Sequence, residues 1–255
     1  MGTVTAAVSG YESALKDARI QFHSHPAVMS VLSPTINPDL LHLFLVYFSA
    51  LGVQITEPVE GWIQRAGVRC GELGFSDLGR ALIAHAKGEA DHHLLMVDDT
   101  RKLISAWNDR QGRRLGADGF LALAITPGVK QYRKLHEEVI DSEAPYAQLA
   151  IEYEIEMLSV TYGPKFLAQC MKVLPSGTLG GLSFISEHVS LDVGHTQFNR
   201  KQLDAFLTGY PDGLLPLVNA GVAALAAYSE FLADCLALAR TRLQIPCDEQ
   251  CPGLA

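Results

Sequence analysis

Positive charge is in short supply in this chain. Twenty Lys and Arg stand against 28 Asp and Glu, a formal net charge of −8. Phosphate backbones are gripped by basic side chains, so this balance speaks against a nucleic-acid partner. Cysteine is also scarce: five residues, Cys70, Cys170, Cys235, Cys247 and Cys251, an odd and scattered set. That pattern excludes a disulfide framework and leads us to expect reduced thiols in a cytoplasmic protein. Cys247 and Cys251 have no nearby His to complete a zinc site. The first residues lack a basic stretch followed by an apolar core, so no signal peptide is expected. Of the most apolar runs, residues 40–48 are too few to cross a bilayer, and residues 221–239 include Glu230 and Asp234. No membrane span is therefore expected.

Period-two alternation is missing as well, which argues against β structure. No repeat, Gly-Ser linker or shift in composition divides the chain. These absences leave a single all-α domain over residues 1–255, with a short flexible tail at about 244–255.

What the chain does have is helical patterning. Asn37-Pro38-Asp39 combines an N-capping Asn, a Pro for the first helical position and an early acid. The sequence predicts one long helix from residue 40 to about 66 and another from Ser76, as cap, to about Trp107. A polar loop is expected at 108–119 and a shorter helix at 129–139. Residues 141–145 read as a break. Long helices are predicted at 146–170, with a kink near Gly163-Pro164, at 183–208 and at 214–243. Residues 176–181 form a turn.

The most informative stretch lies in the next-to-last helix: His188-x-x-x-Asp192-x-x-His195. At about 100° per residue, the second and third of these side chains fall roughly 40° and −20° from the first, on one face. Two imidazoles and a carboxylate without thiolate suit iron or manganese better than a structural zinc ion. Upstream, Glu89-x-x-His92 has the spacing that carboxylate bundles use to aim two ligands at one core. His93 is an alternative to His92 after a small rotation, and His85, four residues before Glu89, reads as a supporting residue outside the ligand set. A third helix supplies Glu152, Glu154 and Glu156. Glu152 and Glu156 share a face and Glu154 points away. A carboxylate facing an apolar core has to be paired, protonated or metal-bound. Gly194, inside the three-ligand helix, costs about 1 kcal/mol relative to Ala. Either a close approach or simple tolerance accounts for it.

Together these elements resemble the haem-oxygenase-like di-iron oxidase and oxygenase superfamily, related to thiaminase-II and PQQ-synthesis C-type folds. The resemblance extends from about Tyr11 through the last helix and includes the opening segment Phe22-His-Ser-His-Pro26. It implies a haem-oxygenase-like bundle with two Fe(II) ions per chain held by Glu89, His92, Glu156, His188, Asp192 and His195. Glu156 is chosen over Glu152 by its distance ahead of His188. The implied activity is O2-dependent: peroxo-di-iron chemistry such as desaturation, C–C cleavage or N-oxygenation on a small amino-acid-like or fatty-acid-like substrate. A homodimer is also implied. With only three carboxylates, one iron is expected to bind weakly. The competing readings are a metal-independent PQQ-synthesis-like or thiaminase-like pocket enzyme, and a haem protein using His23 or His25 as axial ligand. Leu41, Leu45 and Phe48 form an apolar stripe that suits either an alkyl substrate or core packing.

Overall fold

The computed structural model describes residues 6–111 and 114–244. Among these the chain forms no strand and eleven α-helices: α1 (Ala6–Ser24), α2 (Pro26–Val31), α3 (Pro38–Thr56), α4 (Val59–Glu72), α5 (Ser76–Ala86), α6 (His92–Gln111), α7 (Ala117–Leu121), α8 (Pro127–Asp141), α9 (Gln148–Val173), α10 (Ser183–Gly209) and α11 (Leu214–Gln244). Short 3-10 turns precede α9, α10 and α11. The predicted tail, with Cys247 and Cys251, lies outside the described residues.

Asn37 starts α3 as its sequence predicts. Its Oδ1 accepts hydrogen bonds from the backbone N–H groups of Asp39 at 2.8 Å and Leu40 at 3.1 Å, and Pro38 fills the first turn. Every residue of α3 from Leu41 to Gly52 is buried, as expected of a helix apolar on all sides. The helix does not continue to residue 66, however. Pro58 has no N–H to give the carbonyl of Gln54, and Arg133 Nη1 on α8 donates to that carbonyl instead, at 2.7 Å. The chain turns there and restarts as α4.

The second predicted long helix is also two helices. α5 ends at Ala86, and Lys87–Asp91 form a tight connection in which Gly88 N and Glu89 N bond back to His85 O and Ala86 O. Asp91 adopts φ 63°, a left-handed conformation that L residues reach at a cost of roughly 1–2 kcal/mol. Ser76 is the first residue of α5, and the capping position belongs to Phe75. α9 runs unbroken through Pro164.

Close crossings fix the bundle. A Cβ on Gly67 of α4 would lie 2.8 Å from Gly79 O, and one on Gly79 of α5 would lie 2.6 Å from Gly67 O. Only glycine at both positions lets these helices touch backbone to backbone. α1 is clamped to α9 by Glu154, which points away from Glu152 and Glu156. Its carboxylate accepts from Tyr11 Oη at 3.0 Å and from Arg19 Nε and Nη2 at 2.8 and 2.7 Å. Buried apolar side chains from nearly every helix join in one core cluster.

Two segments, Pro38–Glu72 and Pro211–Gln244, are long and apolar enough to cross a membrane by length and composition alone. In the fold, 72% and 50% of their most apolar windows are buried against other helices, as befits core helices. Leu41 and Leu45 are fully enclosed in this core, so packing accounts for them.

Candidate metal centre

Four helices and one connection converge on a cluster of imidazoles and carboxylates. α5 supplies His85, the α5–α6 connection Glu89, α6 His92, α9 Glu156, and α10 His188, Asp192 and His195. The donors form two groups. His85, Glu89, Glu156 and His195 have ligand atoms all within 4.8 Å of one another, and so do Glu89, His92 and His188.

Glu89 belongs to both groups, through different oxygens. Its Oε1 lies 3.2 Å from His195 Nδ1 and 3.5 Å from His85 Nε2, while its Oε2 lies 3.1 Å from His92 Nδ1. The break after Ala86 matters here: in the connection, Glu89 stands between the two groups and no longer on a continuous helix with His92. His188 Nδ1 donates to Phe184 O at 2.8 Å, which fixes the tautomer and leaves Nε2 available. Asp192 is buried, with Oδ1 3.5 Å from His195 Nδ1, but it belongs to neither group.

The neighbours support this arrangement. Asn199 Nδ2, one helical turn beyond His195, donates to Glu156 Oε2 at 2.7 Å and holds its other oxygen toward the histidines. The spacing Asp192-x-x-His195-x-x-x-Asn199 carries this residue on the same face, a signal that a search for ligand types alone passes over. His93 is half-buried and belongs to neither group. A Cβ on Gly194 would meet nothing within 4 Å, so tolerance explains that glycine and close approach does not.

The three acids of α9 reach three different solutions to burial. Glu154 is ion-paired. Glu152 accepts from Gln148 Nε2 at 2.5 Å, and burial pushes its pKa up to about 8, which favours the protonated acid at neutral pH. Glu156 is buried too, which raises its pKa, and faces His85 Nε2 at 3.1 Å.

Electrostatics binds the cluster strongly. Burial alone would lower the pKa of His85, but the carboxylates of Glu156 and Glu89 carry it up to about 10. Asp192 and Glu89 do the same for His195, to about 10. Burial works against ionised Glu89, yet the imidazoles of His195, His85 and His92 hold it well below the usual carboxylate range. Three buried atoms, His85 Nε2, Glu156 Oε1 and His195 Nδ1, nonetheless lack a hydrogen-bond partner. Donor atoms spaced 3.1–3.7 Å apart match the edges of a coordination shell with bonds of about 2.0–2.2 Å. Each donor group could hold a metal ion, with protons as its competitors for the same atoms.

Beside the cluster lies a cavity of about 190 Å³. Glu89, Glu156, His188 and Asp192 line one part of its wall, and Phe44, Phe48, Ile155 and Ile185 are among its apolar lining. Glu152, Tyr132 and Tyr228 are polar lining residues that the sequence did not single out for that role. His23 and His25 are absent from this wall. His23 is exposed and stacks on Tyr162 at 5.7 Å, and His25 Nδ1 caps α2 by accepting from Ala27 N. These roles account for both residues without haem.

No family model matches the chain, and no curated protein matches it by sequence. Solved structures do match. A domain of unknown function with a heme oxygenase-like fold from Shewanella denitrificans aligns with TM-score 0.74 at 13% identity, covering 98% of this chain and 100% of that one. A TenA homolog from Pseudomonas syringae aligns with TM-score 0.66 at 13% identity, covering 91% and 93%. A CADD-like protein of unknown function from Nostoc punctiforme aligns with TM-score 0.61 at 13% identity, covering 91% and 99%. At such identities the likeness is one of fold: the chain is an all-α bundle with the haem-oxygenase-like fold.

Proposed function

We propose that this chain is an O2-dependent non-haem di-iron oxidase or oxygenase acting on a small organic substrate with an apolar body. The observation that carries the reading is Glu89, whose Oε1 faces His85 and His195 and whose Oε2 faces His92, in a separate donor group with His188. A single helix with surface histidines gives no reason for such a shared acid. When bound, two ferrous ions would supply the electrons that reduce O2 and let it attack an otherwise unreactive substrate.

The protein's own residues provide the rest. Glu89, Glu156, Asp192 and His195 would surround one ion, and Glu89, His92 and His188 the other. Phe184 O orients His188 and Asn199 orients Glu156. The apolar wall of Phe44, Phe48, Ile155 and Ile185 excludes water and accepts the substrate body, of amino-acid-like or fatty-acid-like size. Glu152, held by Gln148, keeps a proton at the cavity wall. We include homodimerisation in the proposal because two-fold dimers are the commonest oligomers; light scattering on the purified chain reports it.

Anaerobic reconstitution with Fe(II) tests the reading. Close to two irons per native chain, with clear loss in His188→Ala, is expected. No specific iron in either protein would overturn it.

Glu152 supports a second reading, a metal-independent pocket enzyme of the PQQ-synthesis or thiaminase type, because it offers a buried acid on the cavity wall without any ion. Turnover that survives exhaustive chelation and is lost in Glu152→Gln would favour it.

A further inference from the structure

We propose that His85 is itself a metal ligand, and that it makes the two ion sites unequal: an enclosed inner site that retains its ion and an outer site that exchanges it. This rests on the two-ion reading above and departs from the sequence expectation, in which His85 stood outside the ligand set.

The first ground is geometric. His85 is 8% exposed, and its Nε2 is a buried atom without a hydrogen-bond partner. It lies 3.1 Å from Glu156 Oε1 and 3.5 Å from Glu89 Oε1, at ion-pair distance from both. Glu156 Oε1, 7% exposed as a residue, and His195 Nδ1 are unpartnered in the same way. Three buried donors that approach one another without bonding share a single missing partner, and a cation is the partner that satisfies all of them. His136 also leaves one buried ring nitrogen, Nε2, without a partner, but its Nδ1 is bonded to Gln148, its ring is stacked on Trp62 at 4.0 Å, and it belongs to neither donor group.

The second ground is the contrast between the two groups. The inner group has four donors, His85, Glu89, Glu156 and His195, of which His85 and Glu156 are buried, with Asp192 3.5 Å from His195. Four donors describe a closed site. The outer group has only Glu89, His92 and His188, all half-buried, and His188 lines the cavity. Three protein donors leave positions open toward the cavity, which is what a substrate or small co-reactant requires. Without His85 the inner group loses one of its two buried donors, and the difference between the groups narrows.

The test is metal binding without turnover. Apo protein is titrated anaerobically with Co(II), followed by visible absorption, and with Fe(II) by equilibrium dialysis. The native chain is compared with His85→Ala, His85→Gln and His92→Ala, and circular dichroism reports that each variant is folded. Two equivalents of unequal affinity are expected for the native chain. Both His85 variants should lose the tight equivalent by at least about 100-fold, beyond the 10–100-fold typical of a residue that only orients a ligand. Their Co(II) spectrum should change, and free imidazole should restore it in His85→Ala. His92→Ala should keep the tight equivalent and lose the weak one. Native-like affinity and spectrum in the His85 variants would overturn this inference alone. Loss of the tight equivalent in His92→Ala but not in the His85 variants would overturn the assignment of inner and outer sites. A native chain that binds no specific ion would overturn the two-ion reading, and this inference with it.

Discussion

The Asp99 carboxylate of α6 caps the start of α10: Oδ1 accepts from Ser183 N at 3.0 Å and Oδ2 from Phe184 N at 2.8 Å. Ser183 Oγ adds a third hydrogen bond at 2.5 Å. α10 has no capping side chain of its own, so a residue 84 positions earlier in the chain satisfies its first free N–H groups. The cap also fixes α10, which carries His188, against α6, which carries His92.

Asp99→Ala should therefore cost about 1–3 kcal/mol, since it leaves buried N–H groups unsatisfied and removes a negative charge from a helix N-terminus. Asp99→Asn should cost less. Urea denaturation checks both, and a native midpoint in Asp99→Ala would show that water replaces the cap.

Metal should stabilise the fold. At a free concentration 100 times the dissociation constant, a cation that binds only the folded chain adds about 2.7 kcal/mol. The melting temperature should rise on adding Fe(II) or Co(II) without oxygen and fall back on adding chelator. The rise should shrink in His188→Ala.

Two glycines on facing helices should respond in opposite ways. Gly194→Ala on α10 adds a methyl group in open space and is expected to stabilise by up to about 1 kcal/mol. Gly163→Ala on α9 drives a methyl group into Val189 and is expected to cost about 1–3 kcal/mol. Thermal melts of both variants make the comparison.

His136 should make stability fall in acid. It is fully buried, and burial pushes its pKa down to about 3 from an ordinary 6.5. The unfolded chain therefore takes up a proton that the folded chain refuses, and stability is lost as pH drops from about 6.5 toward 3. At pH 5 the loss from this residue is about 2 kcal/mol relative to pH 8. His85 and His195, with pKa values raised to about 10, act in the opposite sense, so the residue is isolated by difference: in denaturant titrations the stability gap between the native chain and His136→Phe should shift by about 2 kcal/mol between the two pH values.

Filling the cavity should separate substrate binding from metal binding. Ser159, on its wall, can be enlarged by Ser159→Leu, which should add about 0.5–1 kcal/mol of stability by occupying empty space. An apolar fluorescent probe should bind this variant more weakly than the native chain, with the Co(II) titration unchanged. A parallel loss of metal binding would mean that the two sites cannot be separated.

Local rules made much of this architecture legible. The cap at Asn37, the turn at residues 176–181 and the long helices at either side of it follow from propensity and punctuation, which act over a few residues. The common face of His188, Asp192 and His195 follows from helical period alone. The two long-helix predictions failed at particular residues. Pro58 ends α3 because Arg133, from a distant helix, takes over the carbonyl that proline strands. The connection at Lys87–Asp91 depends on Asp91 holding a positive φ, which helix periodicity does not encode.

The sequence by itself determined an all-α chain and the types and spacing of the residues that gather at its centre, because helix formation and side-chain direction are set by near neighbours. Tertiary structure decided which of three buried acids on α9 is paired, which has its pKa pushed up by burial beside Gln148 and which faces the histidines. It also decided that Glu89 stands between two donor groups and that His85 belongs to one of them. Those outcomes depend on which side chains from other helices arrive within about 3–4 Å, and only the packed bundle fixes such distances.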